Sequence, residues 1–346
     1  MSAWRLEFCR TLRPAMRRLT SYPHRRCFLT VSRLLREPVL LESVDDPVPL
    51  FESSVRQSTE APQTLRDRRL GFIGWGAMAQ AVSLGILKKG LTESSRLSVT
   101  DVVPHILDKA EEAGLARSKT NKRLVEWADV VFMAVKPQVV HPVLEEIAPH
   151  WKENKIMVSI CAGVTIDTYQ HFLGEDAKVV RVMPNTPCLV AEAATAYANS
   201  DNCETWETDL VHGMFAAVGG ATHHVPEYLL NAVTGLSGSG PAYVYMMIQA
   251  LSDAGVHGGL PRNVALSLAV QTVLGSAKMV QESGQHPAVL KEAVTSPAGT
   301  TIAGVRVLEK NNFNSAIIEA VETARARSEA LSQKPDFLFD QKKRSS

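Results

Sequence analysis

Residues 70–82 read LGFIGWGAMAQAV, an apolar run that ends in Gly74-x-Gly76-x-x-Ala79 and opens directly into a helix-forming stretch. A strand, this glycine pattern and a helix in succession leave little freedom to the fold. The first glycine permits a tight turn, the second lets an anion approach the backbone, and the third position needs a small residue for helix–strand packing. The helix N-terminus adds unpaired N–H groups and partial positive charge, which suit a pyrophosphate. Gly74, Gly76, Ala77, Met78 and Ala79 are therefore candidate dinucleotide-binding residues, with the bulky Trp75 between the glycines at a position that can point outward.

The flanking sequence repeats the same unit. Short apolar runs predict strands at Leu70–Ile73, 96–100, 130–134, 156–160 and Lys178–Met183, with helices between them such as Ala77–Lys88 and 139–147. This alternation specifies an α/β protein with a Rossmann-like, doubly wound parallel sheet. Two further strands, near 195–198 and 222–225, flank a helix near 204–217. Asp101 ends the second strand, where an acid can accept from ribose hydroxyls and repel a 2′-phosphate. It can equally cap the helix that begins near Pro104. The cofactor is NADH or NADPH, with a slight lean towards NADH. Ala134, Val135, Lys136 and Pro137 follow the strand 130–134 at its carboxyl end, where open α/β sheets bind ligands, and are expected to line the groove.

After about Tyr228 the strand signals stop. A helix over 262–281 carries Ala265, Leu268, Ala269, Thr272, Val273, Ser276, Ala277 and Val280 on one face, and another covers 313–331. That small-residue stripe admits a second helix at close range. A helical domain of this size is small to stand alone and is expected to pair with another copy. The expected organisation is a presequence and linker over 1–66, a dinucleotide-binding domain over 67–228, a helical dimerisation and substrate domain over 229–334, and a tail over 335–346.

The first forty residues differ from the rest, with nine arginines, no lysine and only Glu7 and Glu37 as acids. Arginine-rich, acid-poor, hydroxyl-bearing N-termini are typical of mitochondrial presequences; a basic arm on a cytoplasmic protein is the alternative. The formal net charge of +1 gives no electrostatic case for nucleic acid or an anionic membrane. No apolar run approaches the roughly 20 residues that span a bilayer. The five cysteines form no CxxC pair and the ten histidines no zinc-ligand spacing, so neither a disulfide framework nor a metal is implied.

Three groups of segments resemble one family. GFIGWGAMA, then VKPQ with RVMPNTP, then LSGSGPAY with SPAGTTIAGVRVLE are similar to pyrroline-5-carboxylate reductases, in particular the mitochondrial animal-type enzymes. The likeness runs in register from about Leu70 to Leu331. It implies hydride transfer from NADH or NADPH to the cyclic imine 1-pyrroline-5-carboxylate, giving L-proline in the last step of proline biosynthesis. It also implies a helical domain that dimerises by interlocking helices, often within larger rings. Three positions depart from the family pattern: Ala298 replaces the second member of a Gly-Gly pair, Asn231 a usual acid, and Trp75 a small residue.

Hydride transfer needs an electrophilic carbon held against the cofactor, mainly by positioning. An imine nitrogen can carry its own activating proton, which lessens the need for a strong general acid, and no catalytic residue is assigned. Hydroxyacid dehydrogenases of related architecture carry a helical lysine where Tyr243 to Met247 stand here, so that alternative is disfavoured. Lys278 reads as an exposed helical lysine. A non-catalytic nucleotide-binding regulator is the other alternative. The loop 296–301 joins small residues and hydroxyls to a helix N-terminus, an anion receptor through Gly299, Thr300 and Thr301, unless the threonines only cap the helix. The segment 237–241 is expected to break one helix and start another, with Ser239 and Gly240 bordering the substrate cleft. Asn185, in 184–187, is expected to offer its amide to the nicotinamide or the substrate.

Overall fold

The structure, a computed structural model, describes residues 63–332. The presequence and linker expected over 1–66 lie almost wholly outside the described residues, as does the tail expected over 335–346.

β1 (Leu70–Ile73), β2 (Leu97–Thr100), β4 (Val130–Met133) and β5 (Ile156–Ser159) are buried at every position. Continuous burial is what a parallel sheet covered on both faces demands. With β3 (Ala116–Arg117), β6 (Lys178–Met183), β7 (Ala193–Asn199) and β8 (Gly219–His224), the eight strands lie in the order β3-β2-β1-β4-β5-β6-β7-β8. Alternate side chains feed two layers. Leu70, Phe72, Val130 and Phe132 pack under α1 (Ala77–Lys88) and α6 (Thr205–Ala217), and Phe72 stacks on Phe132 at 4.3 Å. Ile73, Val131, Met133 and Met157 pack under α3 (Asn121–Trp127), α4 (Val140–Ile147) and α5 (Ile166–Leu173). Each fully buried side chain of this kind contributes about 1.5–3 kcal/mol.

β6 (Lys178–Met183) continues the parallel set, but β7 (Ala193–Asn199) runs antiparallel to it. The cause is the link: 184–192 holds only a short 3-10 turn, Thr186–Val190, and a parallel return needs a crossover of about a dozen residues or more. α6 supplies such a crossover, so β8 (Gly219–His224) is parallel to β7. Sequence patterning missed β3 (Ala116–Arg117), whose two residues are both exposed and carry no apolar signal. α2 (Pro104–Glu112) precedes it.

From Leu230 to the last described residue every element is helical. α7 (Leu230–Val233) passes through a π-helical turn, Thr234–Gly238, into α8 (Gly240–His257). The expected break at 237–241 is therefore a bulge within one continuous rod. The Ser239 N–H bonds to the Thr234 carbonyl at 2.9 Å, and the Thr234 and Ser237 hydroxyls bond back to the Leu230 and Val233 carbonyls. α9 (Arg262–Ser283), α10 (Pro287–Ala293), α11 (Thr300–Lys310) and α12 (Phe313–Ser332) follow. α8 and α9 pack together where a Cβ on Gly255 would stand 3.0 Å from that of Ala265. Only Ala265 and Ala269 of the expected stripe are buried within the chain; Leu268 and Leu274 of α9 and Ile302 and Val307 of α11 lie exposed. α9 is also long and apolar enough to cross a membrane by length and composition, contrary to the expectation from apolar runs.

Candidate active site

Gly74 has φ +85, and a Cβ there would stand 2.9 Å from the Ala134 carbonyl oxygen. Glycine is thus required on two grounds, the left-handed backbone and the absence of space. The Gly74 N–H donates to the Thr100 carbonyl at 2.8 Å and the Ala134 N–H to the Ile73 carbonyl at 2.9 Å, so β1, β2 and β4 meet at this turn. In the strand order, this is where the sheet reverses direction of winding, the crevice in which such sheets bind ligands.

Gly76 is the N-cap of α1 and provides no side-chain cap; a Cβ there would meet nothing within 4 Å. The first N–H groups of α1 have no intrahelical partners and open onto this space. Gly76 and Ala77 are exposed, Met78 is half-buried and Ala79 is buried against the core, as the Gly-x-Gly-x-x-Ala pattern requires. These residues fit a dinucleotide pyrophosphate. Trp75 does not point outward. It is 2% exposed, and its indole N–H donates to the Ser83 hydroxyl at 3.0 Å one face along α1. A buried indole N–H needs such a partner, and Ser83 at helical spacing is the sequence signal for it.

Asp101 is not the N-cap of α2; Val103 holds that position, with no side-chain cap bond. One Asp101 carboxylate oxygen accepts the Trp75 N–H at 2.8 Å and the other accepts the Val103 N–H at 2.9 Å. The acid therefore ties the glycine turn to the end of β2, half-exposed beside the open helix terminus. Ala134, Val135 and Pro137 are half-buried along the carboxyl end of β4, and Lys136 is exposed.

Asn185 is 8% exposed and committed at both ends. Its Nδ2 donates to the Ser237 carbonyl at 3.1 Å and its Oδ1 accepts the Ala194 N–H at 3.0 Å. The amide, expected to be offered to the nicotinamide or the substrate, bolts the link after β6 to the π turn. Gly238 adds to the same junction, since a Cβ there would stand 2.5 Å from the Met183 Cε. Ser239 and Gly240, half-buried, are thereby carried to the carboxyl end of β6, beside the groove.

Gly299, with φ −78 and ψ 172, is the N-cap of α11, and Thr300 and Thr301 are its first exposed residues. Neither threonine caps the helix, so both hydroxyls stay available to a ligand. Ala298 has φ +56, the left-handed conformation that favours the glycine usual in the family. α11 packs on α12 and buries none of its own residues.

No nucleophile presents itself here. Burial pushes the Cys161 and Cys188 thiols up to about 11. The Tyr243 hydroxyl donates to the Ala320 carbonyl at 3.3 Å, and Lys278 is exposed on α9. Among the described residues no cluster of three or more His, Cys, Asp or Glu side chains is arranged to hold a metal.

Comparison with known proteins agrees with this geometry. Residues 227–331 match the family described as pyrroline-5-carboxylate reductase dimerisation, and residues 69–163 match the family described as NADP oxidoreductase, coenzyme F420-dependent. The chain is 44% identical to the pyrroline-5-carboxylate reductase of Arabidopsis thaliana over 77% of its length and 96% of the relative's. It is 37% identical to pyrroline-5-carboxylate reductase 3 of Mus musculus, over 77% of its length and 97% of the relative's. A crystal structure of Plasmodium falciparum pyrroline carboxylate reductase with NADP bound superposes with a TM-score of 0.72 at 34% identity, covering 78% of this chain and 100% of the other.

Proposed function

This chain belongs to the pyrroline-5-carboxylate reductase family, and on that premise we propose that it reduces 1-pyrroline-5-carboxylate to L-proline with NADH or NADPH. The observation that carries the proposal is the junction at Asn185 and Gly238, which sets the π turn of the dimerisation domain against the carboxyl end of β6. A dinucleotide turn and a helical substrate surface thus flank one cleft.

The reduced nicotinamide supplies a hydride, and the protein's task is to hold two molecules in register. The N–H groups of Ala77, Met78 and Ala79 and the space over Gly76 receive the pyrophosphate. Asp101 offers its carboxylate to the adenosine ribose, and residues 134–137 line the groove towards the nicotinamide. Ser239 and Gly240 border the imine; the Gly299 N–H is held by the Ser296 carbonyl at 3.0 Å, so the N–H groups of Thr300 and Thr301 receive the imine's carboxylate, by hydrogen bonds and helix dipole rather than by a salt bridge. A protonated imine nitrogen already carries the charge that a general acid would otherwise have to deliver, which suits a cleft where Tyr243 is tied to Ala320.

The exposed apolar side chains of α9 and α11 support a homodimer through the helical domain, and we propose a larger ring built from such dimers. Native mass measurement tests the assembly. The activity is tested by following oxidation of NADH and of NADPH with pyrroline-5-carboxylate; no oxidation of either would defeat the proposal. The arginine-rich N-terminus supports import into mitochondria.

A further inference from the structure

The peptide that follows β4 is held from behind by a buried polar cluster. Cys161 is 4% exposed, and its Sγ donates to the Val135 carbonyl at 3.1 Å, with the Met133 carbonyl at 3.3 Å as a second acceptor. The Ser159 hydroxyl accepts the Cys161 backbone N–H at 3.3 Å and lies 2.6 Å from the Tyr169 hydroxyl. Ser159 and Tyr169 are fully buried.

The peptide between Val135 and Lys136 is trans, so its C=O and N–H point in opposite directions. Anchoring the Val135 carbonyl on Cys161 therefore turns the Lys136 N–H away from the core. Among the described residues that N–H donates to no protein acceptor, although the next turn is closed by the Val139 N–H on the Lys136 carbonyl at 3.0 Å. The same peptide borders the glycine turn, where a Cβ on Gly74 would stand 3.0 Å from the Val135 Cγ1.

We propose that Cys161 is a positioning residue for the cofactor: its thiol fixes the Val135 carbonyl and so aims the Lys136 N–H at an oxygen of the bound dinucleotide. This rests on residues 134–137 lining the dinucleotide groove. The thiol suits the task because burial keeps it protonated, with its pKa pushed up to about 11, so it remains a donor at neutral pH. Burial likewise holds the Tyr169 hydroxyl well above its ordinary value. A carboxylate or amine here would bring charge or bulk that the site has no room to hydrate.

The test compares Cys161→Val, of similar volume but without a donor, with Cys161→Ser, which keeps one. The dissociation constant of NADH and NADPH is titrated by nicotinamide fluorescence in the full chain, beside the Michaelis constant for the imine and the melting temperature. Cys161→Val is expected to raise the cofactor dissociation constant by about three- to tenfold and leave the imine constant unchanged, while Cys161→Ser restores most of the affinity. Equal cofactor affinity in the two variants, whether both weakened or both as wild type, would overturn the proposal. If Cys161→Val does not fold, Cys161→Ala takes its place with the same two outcomes. A wild-type chain that binds neither cofactor would instead overturn the groove itself.

Discussion

Trp75 donates its backbone N–H to the Asp101 carboxylate at 2.8 Å, which ties the glycine turn of β1 to the end of β2. Holding the turn is one task of Asp101, and facing the ribose is the second task proposed for it. Two like charges about 8 Å apart near a protein surface repel by roughly 2 kcal/mol before salt screening. Asp101→Asn keeps an acceptor for one N–H but removes the charge. It should raise the ratio of NADPH to NADH specificity by about tenfold. Asp101→Ser should do the same and also lower the melting temperature, because the tether to Trp75 is shortened. An unchanged ratio in both variants would assign Asp101 to the tether alone.

The substrate carboxylate gives a sharper case. Gly299, not a threonine, is the N-cap of α11, so the hydroxyls of Thr300 and Thr301 can be removed without uncapping the helix. Losing one hydrogen bond to a charged group costs about 1.5–3 kcal/mol, or roughly ten- to hundredfold in affinity. Thr300→Val or Thr301→Val should raise the Michaelis constant for the imine acid by that order and leave the cofactor constant and the melting temperature nearly unchanged. A variant with an unaltered substrate constant would place the carboxylate elsewhere.

Ala298 sits at φ +56 in the loop before α11. The left-handed backbone costs an L-residue about 1–2 kcal/mol, against which glycine loses roughly 0.5–1 kcal/mol in unfolded-state entropy. Ala298→Gly should therefore be neutral to stabilising by about 0.5–1 kcal/mol in thermal unfolding. A clear loss of stability would show that the Ala298 methyl makes a contact of its own in the assembled protein.

Thiol reactivity has a definite sign. Because Cys161 and Cys188 titrate near 11, only about one in a thousand is thiolate at pH 8, and the thiolate is the nucleophile. Alkylation of the native protein at pH 7–8, mapped by mass spectrometry, should leave both cysteines unmodified. Rapid labelling of either would mean that the site opens far more often than its burial implies.

The arginines before residue 40 make import testable without the enzyme. A reporter fused to residues 1–66 should enter mitochondria and lose that ability when the arginines become glutamine. A reporter that stays in the cytosol would leave a basic arm as the better account.

The sheet was legible in the sequence because its strands are buried on both faces, so runs such as Leu70–Ile73 announce themselves by continuous apolarity. β3 was not, since a two-residue exposed edge strand has no pattern to find. The glycine turn was legible because local backbone geometry dictates its residues. The roles of Asn185 and Cys161 were not, because their partners, Ser237 and Val135, are distant in sequence and only the folded sheet brings them together. The π turn was mistaken for a break because Gly-Ser-Gly-Pro has the composition of one. Gly235 and Gly238 serve instead to bring the rod close: a Cβ at Gly235 would stand 2.5 Å from the Val321 carbonyl on α12.

The fate of the hydride decides whether this chain reduces the imine. The purified full-length protein should be incubated with pyrroline-5-carboxylate and cofactor deuterated at nicotinamide C4, and the proline analysed by mass spectrometry and NMR. The expected result is L-proline with one deuterium at the former imine carbon, formed mole for mole with oxidised cofactor. Cofactor that binds but is not consumed, or proline without deuterium from either face of C4, would contradict it.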